Sequence, residues 1–138
     1  MESRLSGIAG VLALTFLPLI GGCTAAAVGA AGAAGAAGGI AYTDRGATTM
    51  VQQDIQTVAA ASRAAMQDMG IQVREQKTEL HEQEIEIQGE NGDRKVVIDI
   101  EGNRAAGMTR IEVTSKDGFL DYSKRDAEQV LVAILDRL

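Results

Sequence analysis

Apolar and polar residues recur with a helical period in two stretches of the chain. Between about Gln52 and Met69, small or apolar side chains return every three or four residues, which predicts an amphipathic helix. Its stripe consists of Ile55, Val58, Ala59, Ser62, Ala65, Met66 and Met69. Gly70 is well placed to cap the C-terminus of this helix. A second helix is predicted to begin near Ser123, whose hydroxyl can cap it. Its stripe consists of Ala127, Val130, Leu131, Ile134, Leu135 and Leu138.

Four segments between these helices alternate with a period of two, which predicts strands with one buried face. Their apolar members are Ile71 and Val73, then Ile85 and Ile87, then Val96, Ile98 and Ile100, and finally Ile111 and Val113. Asn91-Gly92 predicts a tight hairpin between the second and third segments. A looser turn over residues 102–107 joins the third and fourth, and a further short strand is predicted at Ala47 to Val51.

Two one-sided helices and a one-sided sheet bury their apolar surfaces when both helices pack on the same sheet face. The expected fold is therefore α+β, with an antiparallel sheet of four to five strands in the order β-α-β-β-β-β-α, where the first strand is optional. The opposite face should carry Glu82, Glu84, Glu86, Lys95, Asp99, Glu101, Arg110 and Glu112. Arg74, Lys95 and Arg110 are expected to interleave with these carboxylates as cross-strand partners.

The N-terminus has the three parts of an export signal: a head with Arg4, an apolar run over residues 8–20, and small residues before Cys23. The apolar run is shorter than the roughly 20 residues of a spanning helix and contains Pro18. The tetrapeptide Ile20-Gly21-Gly22-Cys23 resembles the lipobox of bacterial lipoproteins. That resemblance implies cleavage after Gly22 and lipidation of Cys23, where two or three acyl chains hold a protein durably in a bilayer. The alternative is an ordinary signal followed by an incidental cysteine.

The segment from Thr24 to Tyr42 has no charged residue and consists almost entirely of alanine and glycine. Gly29, Gly32, Gly35 and Gly38 recur within it at every third residue. On a helix, these glycines form a groove that allows close helix contact, as in a membrane-inserted glycine zipper. Because glycine disfavours helices, the segment can equally be a flexible tether beside the lipid. We expect three regions: a signal peptide (1–22), a lipidated cysteine with its tether or membrane segment (23–45), and a periplasmic domain (46–138).

The lipobox, the alanine-glycine run ending in Ile40-Ala41-Tyr42, the helix before Gly70 and the α+β pattern together resemble an uncharacterised family of small bacterial lipoproteins. It is one of the domain-of-unknown-function families. The resemblance implies a compartment and a fold, but no activity. The only functional residue it supplies is Cys23.

Candidate catalytic chemistry is sparse. His81 is the only histidine, and it lacks the second histidine or cysteine of a zinc site. The carboxylates near Glu84 lack the loop geometry of a calcium site, so we interpret them as a solvated face. Ser62 and Ser123 have no histidine placed to act as their base. The glycine-rich run lacks the lysine and βα unit of a phosphate loop. The sequence therefore predicts no enzyme activity, no metal and no cofactor.

Net charge and composition indicate which classes of molecule this protein is expected not to bind. Removing Arg4 and Glu2 with the signal leaves 12 basic and 18 acidic residues, a net charge of −6, which argues against nucleic acid or anionic lipid as the main partner. Tyr42, Phe119 and Tyr122 are the only aromatics after the signal, so stacking platforms for bases are few.

We therefore expect a non-catalytic envelope lipoprotein with a binding or structural role. It would contact the bilayer through acylated Cys23 and also another envelope protein or a peptidoglycan-associated component. Thr24 follows the lipidated cysteine, where an aspartate often signals inner-membrane retention, so the periplasmic face of the outer membrane is expected. The alternative function is self-association of the glycine-zipper segment within the membrane.

Overall fold

A computed structural model describes residues 39–79, 83–118 and 121–138. The described residues form seven strands and two helices. In chain order these are β1 (Ala41–Tyr42), β2 (Gly46–Val51), α1 (Ile55–Asp68), β3 (Gln72–Glu79), β4 (Glu84–Asn91), β5 (Arg94–Asn103), β6 (Met108–Asp117), β7 (Asp121–Tyr122) and α2 (Lys124–Leu135).

All the strands belong to one antiparallel sheet in the order β1-β2-β6-β5-β4-β3, with β7 added beside the end of β6. The α+β class is confirmed, but the expectation of four to five strands was wrong, since the sheet has seven. The two additional strands, β1 and β7, are two residues long and therefore too short to show a period of two. β1 lies within the segment 23–45 that the sequence assigned to the tether.

Both ends of α1 are fixed by local hydrogen bonds. An Asp54 carboxylate oxygen accepts the backbone N–H groups of Gln56 and Thr57, each at 3.0 Å, so the helix begins three residues later than Gln52. At the other end Gly70 has φ of 70° and donates its N–H to Gln67, while Ile71 donates to Met66 at 2.8 Å. This is the Schellman arrangement that glycine favours, and the predicted cap is confirmed.

The core lies between one face of the sheet and the two helices. Every apolar residue predicted in the segments of β4, β5 and β6 is buried: Ile85, Ile87, Val96, Ile98, Ile100, Ile111 and Val113. The predicted stripe of α2 is buried from Ala127 to Leu135, and the Ser123 hydroxyl accepts the Asp126 N–H at 3.3 Å as its cap. α1 contacts β3, β4 and β5, α2 contacts β2 and β6, and the helices also contact each other.

Strand β3 departs from the predicted alternation. Ile71 is buried just before it, Val73 is half-buried, and the remaining side chains to Glu79 are exposed. The register with β4 shifts between Val73 and Glu75, and β3 lies at the edge of the sheet, where little of it meets the helices.

The hairpin between β4 and β5 is present, with its turn one residue beyond the predicted pair. Asn91 pairs with Arg94, so Gly92 and Asp93 form the turn, and Gly92 has the positive φ of 61° that glycine tolerates. The looser turn between β5 and β6 closes on the pair Asn103 and Met108.

Strands β2 and β6 approach each other closely at Gly46. A Cβ atom at this position would lie 1.9 Å from the carbonyl oxygen of Val113 on β6. Only glycine fits there, because no rotamer change can move a backbone oxygen out of the way.

Candidate functional site

The face of the sheet opposite the helices is a polar surface that neither helix of the described residues covers, and we call it the outer sheet face. Its side chains alternate with the buried ones along each strand. They are Thr48 and Met50 on β2; Glu75, Lys77 and Glu79 on β3; Glu84, Glu86, Gln88 and Glu90 on β4; Lys95, Val97, Asp99 and Glu101 on β5; and Arg110, Glu112, Thr114 and Lys116 on β6.

Carboxylates gather at one end of the outer sheet face. Asp99 on β5 is directly opposite Glu86 on β4 and Glu112 on β6. In the next row Glu84 is opposite Glu101. We call these five residues the acidic cluster. Since like charges directly opposite each other destabilise a sheet, the acidic cluster lowers the stability of the folded domain.

Cations at the margin of the acidic cluster reduce this repulsion in part. Arg110 donates to Glu101 at 3.1 Å and also contacts Glu112. Lys77 lies 3.4 Å from a Glu86 oxygen. These ion pairs engage Glu86, Glu101 and Glu112, while Asp99 lies at the centre of the cluster.

Asp99 is consequently the most perturbed acid of the cluster. Burial raises its pKa to about 6 from 3.8, and the charges of Glu86, Glu112, Glu84 and Glu101 add to the rise in that order. Asp99 therefore exchanges a proton close to neutral pH.

Its neighbour Glu86 shows the opposite change. The pKa of Glu86 is lowered, first because the Gln88 amide donates to its carboxylate at 2.6 Å and then because Lys77 is close. The acidic cluster therefore combines a carboxylate stabilised in its charged form with one stabilised in its protonated form.

Several cations lie at the other end of the outer sheet face, in a row that also holds Glu90. Lys95 on β5 is directly opposite Lys116 on β6. The Lys116 ammonium and the Arg45 guanidinium each lie 5.7 Å from the centre of the Tyr122 ring, within the range of a cation–π interaction. We call Arg45, Lys95 and Lys116 the basic row. The uncharged residues Gln88, Val97 and Thr114 separate it from the acidic cluster.

A cleft of about 310 Å³ opens at the end of the sheet between the start of α1 and the turn joining β5 to β6. Its polar groups serve the fold: the Thr109 hydroxyl donates to the Gln53 carbonyl at 2.6 Å, and the Asp54 carboxylate caps α1. The pKa of Asp54 is lowered by hydrogen bonds from Thr57. The cleft thus combines structural contacts with the apolar side chains of Ile55 and Met108.

Several residues singled out from the sequence lie outside the described ranges. They are Cys23, Gly29, Gly32, Gly35 and Gly38, together with His81 and Glu82. Within the described ranges, Ser62 is buried in α1 and Ser123 caps α2. Arg74 and Arg110 form the expected cross-strand ion pairs, Arg74 with Glu90 at 3.3 Å.

The described residues contain no group of three or more histidines, cysteines and carboxylates arranged to hold a metal ion. Neither helix of the described part is long and apolar enough to cross a membrane.

The basic row was not identified from the sequence. Alternation predicted Lys95 on this polar face, but its position opposite Glu90 follows from the turn at Gly92 and Asp93, one residue beyond the predicted pair. The position of Arg45 over Tyr122 depends on the two-residue strands β1 and β7, for which the sequence pattern gives no signal.

Comparison with known proteins gives a family. A family model described as a protein of unknown function (DUF3568) matches residues 7–118. No curated protein matches the chain. Since the matched range covers most of the sequence, including both α1 and the strands β2 to β6, the chain belongs to this family of unknown function.

Proposed function

We propose that this protein is a lipid-anchored bacterial envelope protein that acts by binding, and that its outer sheet face is the contact surface for another envelope protein. The observation that carries the proposal is the arrangement of charge on that face. An acidic cluster with the raised pKa of Asp99 at its centre lies on a sheet face that neither described helix covers, since both helices pack on the opposite face.

A binding role fits this surface better than a catalytic one. The outer sheet face is open and pleated, so a small substrate lying on it keeps its contact with water. Electrostatic catalysis depends on a site that excludes water. A protein surface, in contrast, can cover the whole face and pair its charges.

The anchoring part of the proposal rests on the lipobox at Ile20 to Cys23. The chain joins the sheet at β1, where Ala41 is opposite Thr48, and Thr48 is opposite Glu112 of the acidic cluster. An anionic membrane would repel this end of the domain, which favours a protein or a peptidoglycan-associated component over lipid as the second partner.

The anchor is tested with Cys23→Ala. The variant should lose labelling by a fatty-acid analogue and should leave the membrane fraction or remain unprocessed. Thr24→Ala is the matched control and should be labelled like the wild type, while Thr24→Asp should move the protein toward the inner membrane. Continued labelling of the Cys23→Ala variant would remove the basis for the anchor.

The binding surface is tested with a photocrosslinking residue in living cells. Placed at Thr114 on the outer sheet face, it should capture a defined protein, identified by mass spectrometry. The control position is Val132, which is 37% exposed on α2. Equal capture from both positions, or capture from Val132 alone, would contradict the proposed surface.

A further inference from the structure

We propose that the occupant of the outer sheet face is a second copy of this chain, and that the two sheets stack face to face with their strands reversed. This inference rests on the proposed use of the outer sheet face and names the partner. It follows from the charge pattern along the two central strands.

The pattern along β5 and β6 is complementary to itself when reversed. On β5 the outer residues run Lys95, Val97, Asp99, and on β6 the same three rows hold Lys116, Thr114, Glu112. Consider a twofold axis that lies between the two sheets, runs perpendicular to the strands and passes over the row of Val97 and Thr114. This axis stacks each strand antiparallel on the same strand of the other copy. A twofold interface requires this kind of self-complementary surface.

In this arrangement Lys95 and Lys116 each lie over a carboxylate of the other copy. Asp99 faces Lys95 of the partner copy, Glu112 faces Lys116 of the partner copy, and the symmetry repeats both contacts. On β4, β5 and β6 the axis passes through the uncharged residues Gln88, Val97 and Thr114. On the edge strand β3 it passes through Glu75, whose carboxylate lies 3.6 Å from the Lys77 ammonium, so the one charge placed against its own copy in this row already has a cation beside it.

The dimensions of stacked sheets fit these contacts. With a rise of about 3.3 Å per residue, Lys95 and Asp99 are about 13 Å apart along β5, and stacked sheets lie about 10 Å apart. The long lysine side chains can reach across that spacing, and aligned sheets keep their strands within about 30° of each other.

The partner's lysine supplies what the isolated domain lacks at the centre of its acidic cluster. Asp99 is faced by Glu84 and Glu86 from β4, by Glu112 and Arg110 from β6, and by Glu101 of its own strand. Arg110 is engaged with Glu101 and Glu112, and Lys77 of β3 with Glu86. A cation arriving over Asp99 therefore meets a carboxylate that the domain itself has not neutralised.

Strand β4 also departs from the complementarity. There Glu86 would face Glu90 of the partner copy. Both carboxylates already have a cation from β3, because Lys77 lies 3.4 Å from Glu86 and Arg74 lies 3.3 Å from Glu90. The repulsion on this strand is therefore reduced, and the two central strands determine the pairing.

Site-directed crosslinking of the full-length protein in native membranes tests the pairing. Val97→Cys places a thiol on the twofold axis, so a short bis-maleimide should convert this variant to a covalent dimer. Val132→Cys on α2 is the control for random collision and should remain monomeric. Wild type should also remain monomeric, because acylated Cys23 has no free thiol; a dimer of the wild type would refute the anchor instead.

Charge exchange then tests the mechanism. In the Val97→Cys background, Lys95→Glu should reduce the dimer at least about tenfold, because like charges across an interface are strongly unfavourable. Adding Asp99→Lys to Lys95→Glu restores opposite charges and should recover most of the dimer. Should Asp99→Lys fail to fold, Lys116→Glu with Glu112→Lys provides the same exchange on β6. Loss without recovery in the exchanged pair that folds would overturn the inference.

Two other outcomes would also overturn it. A dimer through Gln76→Cys but not Val97→Cys would show that the exposed edge strand β3 joins the copies. Absence of a Val97→Cys dimer, combined with photocapture of a different protein from Thr114, would leave the proposed function standing and remove the second copy as its partner.

Discussion

Replacing Asp99 with asparagine should change how the stability of the domain depends on pH. Asp99 has a pKa of about 6 in the folded domain against 3.8 ordinarily, so the folded state binds its proton more tightly than the unfolded chain. This contribution to the free energy of unfolding is fully present below pH 3.8 and is lost as the pH rises through 6. Acidification from pH 8 to pH 5 should therefore stabilise the wild type.

The size of the effect follows from the pKa difference. One pKa unit is worth about 1.4 kcal/mol, so a rise to about 6 gives roughly 1.4 kcal/mol between pH 8 and pH 5 without screening. Asp99 is only half-buried, and solvent screening should reduce the gain to about 0.7 kcal/mol. Asp99→Asn should remove this gain and, with the full pKa difference halved in the same way, raise the stability at pH 8 by about 1.5 kcal/mol.

Urea unfolding of residues 39–138, followed by far-ultraviolet circular dichroism at several pH values from 5 to 8, measures the effect. Urea is uncharged and so leaves the electrostatics of the cluster intact. The Asp99→Asn variant and its reference protein should both carry His81→Gln, because histidine side chains titrate in the same pH range. Glu79→Gln, at the edge of the sheet, is the matched loss of one carboxylate and should retain the wild-type pH dependence. A wild type whose stability is flat or falls on acidification would refute the reasoning, as would an unchanged slope in Asp99→Asn.

Three further experiments examine the core, the sheet and the N-terminal segment. Ile98→Ala should cost about 2–5 kcal/mol of unfolding free energy in urea titrations, as deletions from a buried core do, whereas Glu84→Ala should cost little, and equal effects would contradict the assigned sheet faces. Gly46→Ala should leave little folded domain by circular dichroism, since its Cβ would meet a backbone oxygen at 1.9 Å; a variant as stable as the wild type would disprove that contact. Replacing both Gly32 and Gly35 with leucine should leave the crosslinked species in membranes unchanged if the segment is a tether. If the double variant loses a defined oligomer that the Lys95→Glu variant retains, the glycine zipper is favoured.

The helices and the buried sheet face were predictable because their signals are local and repeated. A stripe of several apolar residues and a cap, such as Asp54 or Gly70, act within a few residues of each other. The strands β1 and β7 were not predictable, because two residues carry no period and their pairing depends on β2 and β6. The edge position of β3 is likewise a tertiary property, which the hydrophobic Val73 alone does not reveal.

The acidic cluster illustrates the same division. Its members were expected on one polar face from alternation alone. The central position of Asp99 depends on the registers of two hairpins at once, with Glu86 on one side and Glu112 on the other. Composition predicts the charge of such a face, but only the register determines which carboxylate lacks a nearby cation.

The short strand β1 at the edge of the sheet is a weakly held segment whose detachment would lengthen the N-terminal chain. Only the pairs Ala41 with Thr48 and Tyr42 with Ala47 join it to the sheet, whereas β2 behind it is held to β6 by six pairs. A pull on the N-terminal side would load β1 first. Peeling residues 39–45 away would release about 23 Å of extended chain at about 3.3 Å per residue. The pairing of β2 to β7 would remain, while the contacts of Ile40 with the core, of Tyr42 with Glu128 and of Arg45 with Tyr122 would be lost. The N-terminal segment would therefore lengthen before the main sheet unfolds.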